Sequence, residues 1–140
     1  MLSITYLSAA SSALTPEQLA NLVTQARASN AELGITGILV YSAGTFVQTL
    51  EGPQPAVSAL YDRIVSDARH TEVIEVWRET TLHRTFSTWT MAFKELTPEE
   101  AAAVPELHEV LQDPPPAAGE STLSPQVLLS LVADEPGPTA

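Results

Sequence analysis

A chain of 140 residues with 44% hydrophobic content is long enough to bury one core, and a single domain is expected. Seventeen acidic side chains against six basic ones give a formal charge of -11, a surface that repels a phosphate backbone and argues against nucleic-acid binding. With no cysteine, disulfides, thiolate nucleophiles and cysteinyl adducts to a cofactor are excluded.

Met1 to Leu14 is apolar and rich in Ala and Ser, but no basic region precedes it and Tyr and Thr interrupt it. It therefore reads as a strand and its loop, not as a signal peptide. No apolar run approaches the eighteen or so residues of a membrane span, so a soluble, cytoplasmic protein without a membrane partner is expected. Leu2, Ile4 and Tyr6 alternate with Ser3, Thr5 and Leu7, which predicts the first strand. Thr15-Pro16-Glu17-Gln18 then supplies a threonine N-cap, proline at N1 and glutamine at N3. The helix stripe Leu19, Leu22, Val23 and Ala26 continues to Asn30, which turns an amide inward.

Gly34 is placed to end that helix as a left-handed C-cap. The β-branched, apolar run Ile35 to Tyr41 predicts a buried strand, and Ser42-Ala43-Gly44 turns the chain into the next one. There Gln48 lies between Phe46 and Leu50 at period two, an amide sharing a sheet face with large apolar groups. A second helix opens at Pro53-Gln54-Pro55 with the stripe Val57, Leu60, Tyr61 and Ile64. Arg63 and Asp67 flank the stripe four residues apart, the spacing of a surface ion pair. Val73 to Leu82 reads as a fourth strand containing Trp77, and Thr88 to Lys94 as a fifth in which Trp89, Met91 and Phe93 alternate with Thr88, Thr90 and Ala92.

The order βαββαββ predicts an α+β, ferredoxin-like plait: a five-stranded mixed sheet with two helices on one face, followed by C-terminal helices. Crossover handedness sets strands one and three side by side at the centre, expected to point the same way, which makes Tyr6 and Gln48 neighbours. Tyr6, Asn30 and Gln48 then converge on the space between the helices, with Arg63 and Asp67 at its rim. These polar groups satisfy one another only in part, and an unpaired buried amide costs about 1–3 kcal/mol. The pattern calls for a flat ligand, apolar over its faces and edged with donors and acceptors. Paired Tyr and Trp side chains suit a ligand that exchanges electrons.

Over residues 1–94 the chain resembles a BLUF domain, the flavin-based blue-light sensor. The resemblance rests on Tyr6, on Asn30 followed by Gly34-Ile35-Thr36-Gly37, and on Phe46-Val47-Gln48-Thr49-Leu50-Glu51-Gly52-Pro53. It extends through Arg63-Ile64, Asp67-Ala68-Arg69-His70 and Arg84-Thr85-Phe86-Ser87-Thr88-Trp89-Thr90-Met91-Ala92-Phe93. It implies a non-covalent flavin between the two helices, FAD being favoured over FMN. In such domains the tyrosine matching Tyr6 bonds the glutamine matching Gln48, which bonds the flavin N5/O4 edge. Light-driven transfer of an electron and proton from Tyr6 through Gln48 would leave Gln48 rotated or tautomerised and the flavin absorption shifted to the red. Asn30, Arg63 and Asp67 would bind the dione edge, with Ser29 beside them. Trp89 and Met91 would lie on the strand that relays the signal, where either one is placed next to the flavin and Trp89 is an alternative electron donor.

Taken singly, Tyr6, Trp89 and Met91 read as packing residues, and His70, His83 and His108 lack a ligand-like spacing, so no metal site is expected. Beyond the domain, residues 95–133 read as a helical extension and 134–140 as a mobile tail. Thr97-Pro98-Glu99-Glu100 caps one helix, Glu106 to Gln112 adds a turn or two before Asp113-Pro114-Pro115-Pro116, and Gln126 to Ala133 forms a short apolar helix. Leu128, Leu129, Leu131 and Val132 would cover the open sheet face or pair with another chain. This length leaves no room for a catalytic output domain. The resemblance thus implies a short, non-enzymatic photoreceptor acting through contacts with a homo-oligomer or a protein signalling partner. The competing readings are a flavin binder without photochemistry and an acylphosphatase-like enzyme on the same plait. The latter wants an arginine in the loop after strand one, where Ser8 to Leu14 has none.

Overall fold

The alternation at the N-terminus forms β1 (Leu2–Ala10), and the capping box starts α1 (Pro16–Leu33) as its residues require. The Thr15 hydroxyl accepts the Gln18 N–H at 3.1 Å and the Gln18 side chain accepts the Thr15 N–H at 2.9 Å. Gly34 closes the helix at φ 70°, ψ 28°, a left-handed cap that only glycine adopts at no steric cost. Then follow β2 (Thr36–Ser42), β3 (Thr45–Gly52), α2 (Gln54–Ser66), β4 (His70–Thr80) and β5 (Ala92–Glu95). Three short helices complete the chain: α3 (Pro98–Ala102), α4 (Pro105–Gln112) and α5 (Pro125–Ser130). The computed structural model describes residues 1–10, 14–66, 70–86, 91–112 and 123–131. Asp67, Trp89, the proline run at 113–116, Val132 and the tail at 134–140 lie outside the described residues.

The strands form one mixed sheet in the order β4-β1-β3-β2-β5, the ferredoxin-like α+β arrangement with a fifth strand added in parallel beside β2. β1 and β3 are neighbours at the centre, but they are antiparallel, not codirectional as expected. The connectivity explains the correction. The α1 crossover returns β2 in the direction of β1, and the hairpin then reverses the chain into β3. β4 starts three residues before the expected Val73 and ends at Thr80, not Leu82. β5 runs one residue past the expected Lys94, Met91 stands in a bend just ahead of it, and the expected positions 88–90 lie outside the described residues.

Each sheet face carries its own core. On one, Leu2, Ile4, Tyr6, Leu39, Phe46 and Leu50 pack with Leu19 and Val23 of α1, Val57 of α2 and Met91. On the other, Leu7, Ile38, Val40, Val47, Val76 and Ala92 pack with Ala101, Leu107, Val110 and Leu128 of α3, α4 and α5. Of the two roles open to Leu128, the structure shows it covering the sheet: it is fully buried there. Two layers of helix therefore enclose the sheet, which explains why β2 is buried along its whole length.

The β2–β3 hairpin turns through Ala43 at φ 49° and Gly44 at φ 84°, both positive as a two-residue primed turn demands. Alanine holds that left-handed conformation at a cost of about 1–2 kcal/mol, which asparagine largely avoids. Ala43→Asn should therefore raise the unfolding free energy by about 0.5–1 kcal/mol and the thermal midpoint by a few degrees. An unchanged or lower midpoint in a melting experiment would show that the turn is not strained.

Candidate functional site

Between α1 and α2 the helical face of the sheet opens into a cleft of about 390 Å³, within the size range of small-molecule sites. Leu22, Gln25, Ala26, Ser29 and Asn30 line it from α1, Leu60, Arg63 and Ile64 from α2, and Leu39 and Gln48 from the sheet floor. The walls are thus largely apolar and the polar groups few, the composition that accepts a flat ring and fixes it by its edge. Asn30 is held in place by its own backbone: its carbonyl accepts the N–H groups of Gly34 and, at 2.9 Å, Ile35. The helix cap therefore also sets where the Asn30 amide enters the cleft. Arg63, exposed on α2, brings a guanidinium to the rim.

Tyr6 and Gln48 are directly opposed across β1 and β3, so their side chains leave the sheet on the same face. The Tyr6 hydroxyl donates to Gln48 Oε1, and Gln48 Nε2 donates to Met91 Sδ at 3.6 Å. Tyr6 and Met91 are completely buried, and Gln48 retains 7% exposure where it faces the cleft. A thioether is a weak acceptor and an amide nitrogen carries two hydrogens. Gln48 therefore keeps a donor for whatever fills the cleft.

Tyr6 also meets the Tyr61 ring of α2, with centroids 5.6 Å apart and planes inclined by 56°. Burial, reinforced by the Glu75 carboxylate and opposed by Arg78, raises the Tyr61 phenol above its ordinary range. Tyr61 is accordingly a neutral phenol throughout the neutral pH range. Arg78 and Glu75 pair at 2.6 Å on the partly exposed surface of β4, a contact worth no more than about 1 kcal/mol.

Below Gln48, on the opposite face of β3, lies a buried carboxylate. Glu51 is 1% exposed and accepts from the Thr36 hydroxyl at 2.9 Å, from the Thr85 N–H at 2.9 Å and from the Phe86 N–H. Arg84 completes the network through the Thr36 hydroxyl at 3.0 Å and the Gly34 carbonyl at 2.7 Å. Glu51 thereby ties the strand that bears Gln48 to the loop at 84–86.

Of the residues singled out from sequence, the structure gathers Tyr6, Ser29, Asn30, Gln48, Arg63 and Met91 in and around one cleft. Asp67 and Trp89 fall outside the described residues. Among the described residues, Met91 stands against Gln48. Sequence reasoning assigned no role to Glu51, although it was part of the motif. A lone glutamate between apolar residues on a central strand was the available signal, because such a group is buried only with partners. Leu22, Ala26, Leu60 and Ile64 were legible only as a helix stripe. Nothing in their spacing separates a cleft wall from a core.

A profile of the family described as sensors of blue light using FAD matches residues 1–92. Photoactivated adenylate cyclase subunit beta of Euglena longa is 39% identical over 110 residues, which span 78% of this chain but 13% of that subunit. The dark-state structure of the BLUF protein BlrB superimposes with a TM-score of 0.67 at 33% identity, covering 80% of this chain and 83% of BlrB. Klebsiella pneumoniae BlrP1 with FMN and cyclic diGMP gives the same TM-score, 0.67, at 32% identity, over 96% of this chain and 35% of BlrP1.

Glu51→Ala would strand two buried donors and one partly buried one, and should lower the unfolding free energy by roughly 3–5 kcal/mol. Glu51→Gln, which keeps one acceptor oxygen, should cost about 1–2 kcal/mol. Urea titration of both variants checks this, and equal losses would show that the carboxylate charge is not what holds the loop.

Proposed function

The chain belongs to the BLUF family of blue-light sensors, and on that premise we propose that it is a photoreceptor whose non-covalent flavin works through Tyr6 and Gln48. The observation that carries this reading is the Tyr6–Gln48 hydrogen bond at the floor of a cleft that Gln48 itself lines. The donor set fits a flavin. Leu22, Ala26, Leu39, Leu60 and Ile64 offer apolar surface to the ring faces, while Asn30, Arg63 and Ser29 offer hydrogen bonds to the dione edge and Gln48 to the N5/O4 edge. Asp67 would join Arg63. Bound flavin supplies the absorption of blue light and, once excited, a one-electron oxidant.

Tyr6 is the electron donor, since its phenol is buried, in hydrogen-bond contact with Gln48 and out of reach of solvent. Its hydroxyl donates to Gln48 Oε1, which opens a route for the proton into the Gln48 amide. When electron and proton return to Tyr6, Gln48 is left rotated or tautomerised. Rotation would exchange the donor that Gln48 now offers Met91 for an acceptor, which the Met91 sulfur cannot satisfy. Met91 must then move, or Trp89 replace it, and that displacement is the signal. Residues 1–94 would act as the sensor and residues 95–133 as the transmitting extension. The output is a changed contact with another copy of the chain or with a protein partner, without catalysis by these residues. FAD is favoured over FMN by the family description.

The purified protein should carry a flavin band that shifts to the red under blue light and relaxes in darkness. Gln48→Leu and Tyr6→Phe should keep the flavin and abolish the shift. A bound flavin that never shifts would reduce the protein to a non-sensing binder, and a colourless protein unable to take up added flavin would overturn the reading. Asn30→Ala and Arg63→Ala should each weaken flavin binding about 10-fold, the value of one or two edge hydrogen bonds. Fluorescence titration with FAD and FMN measures this and ranks the two cofactors.

A further inference from the structure

Arg27 lies on α1 one turn before Asn30, and its Nε–H donates to the main-chain carbonyl of Met91 at 2.9 Å. The guanidinium is partly buried there, so it spans from the wall of the cleft to the residue that precedes β5. Met91 in turn presents its sulfur to Gln48 Nε2, and Gln48 accepts from Tyr6. These contacts form one continuous line from α1 through Met91 to Tyr6. Met91 needs such a restraint. A thioether holds an amide weakly and methionine has three rotatable bonds, so neither its sulfur nor its rotamer would keep it in place. Its peptide, standing in a bend before the strand ladder begins, is the part that can be fixed.

We infer that Arg27 is the positioning residue that holds Met91 against Gln48, and through Met91 sets how fast the switched Gln48 returns to its dark arrangement. The inference about the return rate rests on the photoreceptor reading of Tyr6 and Gln48, whereas the positioning of Met91 does not. Because Arg27 and Asn30 share one helix, the clamp also makes the seat of Met91 depend on the wall of the cleft. A change of occupant there and a change at β5 are coupled through a single charge-assisted hydrogen bond.

The chain has two methionines, Met1 and Met91, so ¹³C-methyl labelling of methionine gives one signal for each. Spectra of the full chain as purified and kept dark should show Met91 displaced from the random-coil position. In Arg27→Gln that signal should move towards random coil while Met1 stays, and in Arg27→Lys, which still donates to a carbonyl, it should stay near the wild-type position. After a blue flash, Arg27→Gln should recover at least about 10-fold more slowly, the size of one hydrogen bond to a charged donor. On a Met91→Leu background the same substitution should leave recovery unchanged. An unmoved Met91 signal overturns the inference, as does equal slowing on the Met91→Leu background, which would place the action of Arg27 elsewhere. If the protein binds no flavin, the photoreceptor reading fails and the methyl spectra still decide whether Arg27 holds Met91. A melting curve of each variant separates these outcomes from simple loss of fold.

Discussion

The register of β1 against β3 assigns every chemically active group to its layer. Tyr6 opposes Gln48 and Thr5 opposes Thr49. The first pair faces the two long helices, and the second, joined at 2.6 Å between hydroxyls, faces the three short ones. A slip of one residue would turn Gln48 into the distal core and bring Thr49 to the cleft, because side chains alternate at period two. The pairing is protected on both sides. Ile4 opposes Leu50 and both are fully buried, so any slip would also move apolar groups away from α1 and α2. Hydrophobic burial thus supplies the precision that a hydrogen bond between two side chains needs and could not impose by itself.

The same logic explains where the polar groups are tolerated. Gln48 and Glu51 are both buried polar residues on β3, three positions apart and therefore on opposite faces. Glu51 is fully engaged by a hydroxyl and two main-chain N–H groups, which is the condition for burying a carboxylate without a large penalty. Gln48 is bound to a phenol on one side and to a weak sulfur acceptor on the other. One site is closed and rigid, the other open to exchange. Glu51 has its acceptors engaged, while the Gln48 amide is the group left with alternative partners.

Much of this was legible because it depends on local rules. The capping box at Thr15, the helix stripe through Asn30, the glycine cap and the alternation around Gln48 are read from neighbours a few residues apart, and each appears where those rules put it. The direction of β3 relative to β1 was read wrongly. Strand adjacency follows from crossover handedness, whereas direction requires counting every reversal of the chain. Alternation at Met91 did not reveal that the chain bends there and that the ladder with β2 is entered at Ala92. The bonds from Glu51 to the Thr85 and Phe86 N–H groups and from Arg27 to Met91 were invisible, since they join residues more than thirty positions apart through main-chain groups that leave no mark in the sequence.

Met91 and Ala92 are consecutive, yet one belongs to the core beneath α1 and α2 and the other to the core beneath α3, α4 and α5. The peptide between them acts as a pivot through the thickness of the sheet. Ala92 is paired with Ile38 in the layer beneath the C-terminal helices, so a displacement of the Met91 peptide would reach that layer directly. The side of the molecule that holds the cleft and the side that carries the three short helices thereby meet at one peptide yet lie apart. A partner could dock and undock without obstructing the mouth of the cleft.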